Sequence, residues 1–169
     1  MKKLLGVSLL ALTTMFGSNA AEAVSADGEA RINMIQALTL TQTQSINYGD
    51  TAVDGAGTVN MAHSSGAITC SGFNSHSCPA TGTTGAFSVS GKSNTSVAVS
   101  VTSNATMSHS DSSTLTFIPS LSSTSVTLDG SGAGNISVGG AVALTGTESA
   151  GEYSTTNSGG VPYQINVVY

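Results

Sequence analysis

The chain has 169 residues, of which 8% are charged and 5% aromatic, with no Trp and a formal net charge of −5. Beyond Lys2 and Lys3 the only Lys and Arg are Arg31 and Lys92, and nucleic acid or anionic membrane surfaces need clustered cations, so the composition argues against both as partners. Ser and Thr supply about three residues in ten, well above ordinary usage, so neutral hydroxyls must solvate the surface and helix-forming Glu, Lys and Arg are scarce.

In chain order, Lys2 and Lys3 precede an apolar run at residues 4–16, and Ser18, Ala20, Ala21 and Ala23 follow. That is the layout of a secretory signal peptide. Cleavage between 20 and 26 fits, and the small-x-small pattern of Ala21, Glu22 and Ala23 favours a mature start at Val24. Residues 1–23 therefore read as a signal, 24–36 as an extended strand and 37–169 as one β-sandwich domain. About 146 residues remain after cleavage, enough for a single core. No second apolar stretch nears the roughly 20 residues of a spanning helix and no Cys follows the signal to carry a lipid, so membrane insertion is not expected.

From Val24 the pattern is strict: Val24, Ala26, Gly28, Ala30, Ile32 and Met34 alternate with Ser25, Asp27, Glu29, Arg31 and Asn33. Such alternation predicts a half-buried β-strand. Leu38 and Leu40 share one parity, as do Ile46 and Tyr48, with Ile35 and Ala37 on the other face. Further strands are predicted at 57–62, 67–70, 86–90, 96–101, 114–118, 125–128, 135–138 and 141–144, separated by turn pairs such as Asp54-Gly55 and Asp129-Gly130. After a loop at residues 157–160, Tyr163, Ile165, Val167 and Tyr169 alternate with Gln164, Asn166 and Val168 to the end of the sequence. Short strands at this spacing, with no convincing helical stretch, predict an all-β, antiparallel, immunoglobulin-like sandwich with Greek-key character.

Chemistry is sparse. Cys70 and Cys78, separated by residues 71–77, are the only cysteines, and in an exported chain a disulfide is the default. A Cys2His2 metal site with His63 and His76 has irregular spacing, without the short ligand pairs zinc favours. His63, His76 and His109 sit in Ser-rich, turn-like surroundings, and the nucleophile elbow of hydrolases is absent. Gly130, Gly132 and Gly134 resemble a phosphate loop only superficially, since no helix follows. Asp129 and Asn135 lack the carboxylate company of a calcium site. Sequons at Asn94, Asn104 and Asn135 receive no role. We therefore expect no catalytic residue, cofactor or metal.

The stretches "IQALTLTQTQSINYGD", "GTVNMA", "GAFSVSG", "ISVGGAVAL" and "AGEY…INVVY" occur in the order and phase of a bacterial family catalogued as domain of unknown function 4402, which the chain resembles over most of its mature length. The pattern is similar in plan to spore-coat-U-like and archaic chaperone-usher pilin subunits, secreted immunoglobulin-like domains that begin with an extended strand. Ala37 stands where relatives often have Pro, and residues 154–162 form a longer link than usual. The resemblance implies a periplasmic, cell-surface or extracellular setting and no activity. In the pilin kin each subunit lacks one strand, filled by the extension of the next. On that pattern Val24, Ala26, Gly28, Ala30, Ile32 and Met34 would be a strand-exchange interface joining copies into an oligomer or fibre, with a periplasmic chaperone and usher as partners. The same alternation also permits a self-completing first strand, in which case the protein would be a monomeric secreted or periplasmic sandwich binding an envelope partner.

Overall fold

A computed structural model describes residues 28–169 of the protein. The signal segment, Val24 and Ala26 lie outside the described residues. Two units divide at Asn33 and Met34. In the first, residues 28–33 have no regular secondary structure, and Arg31 pairs with Glu29 at 2.5 Å with both side chains exposed, where such pairs contribute little. The predicted strand through Met34 is thus not formed in its described part. Alternation encodes the capacity to pair, and a strand needs a neighbour's backbone to realise it.

The second unit contains twelve strands: β1 (Thr39–Gln44), β2 (Ala52–Asp54), β3 (Gly57–Met61), β4 (Ile68–Ser71), β5 (Ser75–Ser77), β6 (Gly85–Ser90), β7 (Ser96–Ser103), β8 (Ala105–Ser108), β9 (Thr114–Leu121), β10 (Ser125–Thr127), β11 (Ala133–Leu144) and β12 (Gln164–Val168). All named pairings are antiparallel. The fold is the all-β, sandwich-like one that the alternating sequence predicts. One layer contains β1, β6 and the first half of β11, and the other runs β10-β7-β12. Val89, Ile136 and Val138 from the first meet Val97 and Val99 from the second, and Leu128 just after β10, in one buried cluster. On β7 the period is visible directly, Val97 and Val99 being buried between exposed Ser96, Ala98 and Ser100.

β11 organises the rest. Residues 133–138 pair with β6, and residues 140–144 pair with β3, while 138–142 pair with β9 on the opposite edge. Where the sequence predicts two strands, at 135–138 and 141–144, there is one, because Gly139 and Gly140 continue the ladder. They let neighbouring backbone come close: a Cβ on Gly139 would lie 2.5 Å from the His63 nitrogen, and Gly140 has φ +154° beside the Phe117 ring. Around this second half, Val59, Met61 and Ile68 form one buried group and Ala105, Phe117 and Val142 another. Ile46 and Tyr48 pack on both, as their shared parity predicts. The Tyr48 hydroxyl donates to the Gly140 carbonyl at 2.7 Å, and burial raises its pKa.

β2, β5 and β8 carry no clear sequence signature. The first two pair only with each other, β5 lying within the loop closed by a Cys70–Cys78 disulfide. Both sulfurs are therefore committed to each other, which removes the thiolates a Cys2His2 site would use. At the Asp129-Gly130 turn the left-handed residue is Gly132, φ +82°, and the Asp129 carboxylate accepts from the Ser131 and Ala133 amides at 2.8 and 2.9 Å.

Candidate strand-docking site

Several strands of the sandwich have a single neighbour, and two of them concern the termini of the domain. β1 pairs with β6 alone and β12 with β7 alone. The chain leading into β1 and the residue after β12 meet, the Tyr169 hydroxyl donating to the Gln36 carbonyl, and Leu38 and Leu40 from the β1 segment and Ile165 and Val167 from β12 all pack on the Val89 cluster. These four side chains are only half-buried. Where the strands they belong to had partners on both edges, such residues would be covered, as Val89 and Ile136 are. The open side therefore combines unpaired backbone with partly wet aliphatic surface, and no charged residue falls in 36–44 or 162–169.

Tyr163 closes the deep end of this side. Its ring packs edge-on against Phe87 and Phe117, with centroids 6.0 and 5.5 Å away. Its buried hydroxyl has no hydrogen-bond partner, and burial raises its pKa. Tyr169 closes the other end: its hydroxyl accepts from the Lys92 amide at 2.8 Å and donates to the Gln36 carbonyl. Of the N-terminal candidates, Gly28 and Ala30 are exposed, and Ile32 and Met34 keep 86% and 84% of their surface in water. Ile35, on the other parity, is 51% exposed. The structure thus places the four C-terminal candidates together at one side and leaves the described N-terminal ones uncovered. Sequence reasoning missed Gln36, Gly91 and Lys92 as parts of that side; only the "GAFSVSG" run marks the last turn before Lys92.

The polar loops hold a second cluster. His109 Nδ1 lies 2.9 Å from Asp111 Oδ1, the Ser113 hydroxyl donates to that same oxygen at 2.6 Å, and the His109 and Tyr153 rings stack with centroids 5.0 Å apart. Ser149 also donates to Asp111, and together Ser113, Ser149 and His109 hold its carboxyl well below the ordinary range. The three residue types are those of a hydrolytic triad, but the connectivity differs. Ser113 bonds to the acid, with a second contact to the Tyr153 hydroxyl at 2.9 Å, and no bond joins it to the imidazole that would have to take its proton. The cluster staples residues 109–113 to 149–153. A cavity of about 400 Å³ beside it is lined by His109, Ser110, Ser112, Glu152, Asn157 and Ser158. Among the described residues no group of three or more His, Cys, Asp or Glu converges as a metal site would require, and no helix is long and apolar enough to cross a membrane.

No curated protein and no solved structure matches the chain. The family model of a domain of unknown function, DUF4402, matches residues 38–169, from the leucine that precedes β1 to the tyrosine that follows β12. The protein belongs to the DUF4402 family.

Proposed function

We propose that this protein is an exported, non-enzymatic building block of a surface fibre or coat whose copies join by β-strand exchange. The observation that carries the reading is a mismatch within one chain. An open side between β1 and β12 exposes half-buried Leu38, Leu40, Ile165 and Val167, while Ile32 and Met34, on one parity of an alternating segment, stand in water. Residues 24–34 of one copy supply the missing strand of the next. Docking converts both liabilities at once: edge amides and carbonyls gain partners, and each large apolar side chain transferred from water contributes about 1.5–3 kcal/mol. The Cys70–Cys78 disulfide fits an oxidising compartment such as the periplasm or cell exterior. A periplasmic chaperone would cover the open side before assembly, and an usher would order it.

A second reading is a monomeric secreted sandwich that binds an envelope partner, favoured by the polar cavity beside His109. Deleting residues 24–34 separates the two. Under strand exchange the truncated protein stays folded and soluble but forms no polymers, and it still accepts the segment from intact copies. Unchanged self-association after the deletion would make strand exchange untenable. A full-length protein that stays monomeric at high concentration would leave the second reading in its place.

A further inference from the structure

One hydroxyl spans the open side. Among the described residues, the only hydrogen bond between residues 36–44 and residues 162–169 runs from Tyr169 Oη to the Gln36 carbonyl, at 2.5 Å. The same oxygen accepts from the Lys92 amide at 2.8 Å, so it ties the chain leading into β1, the turn after β6 and the residue after β12 to a single point. The junction is built for close approach. A Cβ on Gly91 would lie 2.7 Å from Tyr169 Oη, 2.7 Å from Leu38 Cδ2 and 3.1 Å from Leu128 Cδ1. Any larger residue at 91 would push the tyrosine, the β1 segment or the core out of register. Yet Tyr169 itself remains 42% exposed, so the bridge sits at the rim, where water can replace both of its bonds.

From this placement we infer that Tyr169 is a latch on the strand-docking side, a conclusion that rests on the strand-exchange reading. Closed, it holds the start of β1 against the end of β12 and narrows the gap between the two layers. A strand from a second copy that lies along β12 as far as Val168 meets the Tyr169 side chain. To seat fully it must displace the Gln36 bond. The latch therefore slows docking and keeps an unassembled subunit closed, and docking releases it.

Replacing Tyr169→Phe keeps the ring over Gly91 and removes only the two hydrogen bonds. Hydrogen exchange on the full mature chain, and the rate at which its monomeric fraction takes up a fluorescent peptide of residues 24–35, read the result. Two net hydrogen bonds correspond to roughly a tenfold or greater change in an opening equilibrium, so amides at residues 38–41 and 167–168 should exchange about tenfold faster and peptide uptake should accelerate by a similar factor. Tyr153→Phe, which removes a hydroxyl bonded to Ser113 instead, should change neither. Peptide uptake at one rate by wild type and Tyr169→Phe, with unchanged exchange, would overturn the latch while leaving strand exchange intact. Uptake by neither protein would overturn strand exchange itself, and the gate with it.

Discussion

Ile32 is a β-branched residue with 86% of its surface in water, six positions before the first side chain that packs on the core, Leu38. Because nothing covers it, Ile32→Asp should leave the subunit's own stability within about 0.5 kcal/mol in a thermal melt. Under the proposed strand exchange the same substitution places a carboxylate in an apolar slot, which is far more costly, and should abolish assembly, read by sedimentation. The acids behave differently. Hydrogen bonds from the Ser131 hydroxyl, then the Ala133 and Ser131 amides, lower the Asp129 pKa, as Ser113 does for Asp111. For Glu148, burial pulls upward, but bonds from the Thr145 amide and hydroxyl and the Gly146 amide outweigh it and the net shift is down. A carboxylate depressed in the folded state stabilises it above the unfolded pKa, and the gain is lost as the pH falls through the folded value. The melting temperature should thus be flat from neutrality to about pH 5 and fall below about pH 4, and Asp111→Asn should make that acid decline shallower.

At the scale of elements, the loop closed by Cys70 and Cys78 holds β5, all three of whose residues are exposed and whose only strand partner is the equally short β2. With so little burial of its own, this pair depends on the covalent closure. The double variant Cys70→Ser, Cys78→Ser should lose roughly 2–3 kcal/mol in denaturant unfolding, with exchange at residues 52–54 and 75–77 rising first. The same pair marks the limit of what the sequence discloses. β7 and β12 were legible because buried Val97, Val99 and half-buried Ile165, Val167 recur every second residue against Ser, Ala, Gln and Asn. β5 reads Ser-His-Ser and pairs with the remote β2, while β8 reads Ala-Thr-Met-Ser and pairs with β9 across residues 109–113; neither carries an alternating apolar period. Gly139 and Gly140 read as a break for the opposite reason: glycine marks turns, and here it marks strands crossing without room for side chains. The open side was half visible. The alternation at residues 163–169 disclosed β12, but whether that strand has one neighbour or two depends on topology.

At the scale of the whole molecule, the absence of charge from residues 36–44 and 162–169 sets the character of any association along them. Coulomb attraction is screened within about 8 Å at physiological salt, whereas apolar burial is not. Assembly rate and extent should therefore change little between about 0.05 and 0.5 M NaCl, measured by light scattering; a steep loss with salt would point to a charged interface elsewhere. The domain meets itself through one strand. β11 contacts β6, β3 and β9 along its length and lies beyond residue 132, so each of the three buried clusters either contains one of its residues or packs against one. A ribosome or translocation channel that delivers this polypeptide from its N-terminus releases β1 to β10 before that shared spine emerges. Until then only separate pairs such as β3 with β4 and β8 with β9 can form, because the strand that joins them into one sheet is still to come.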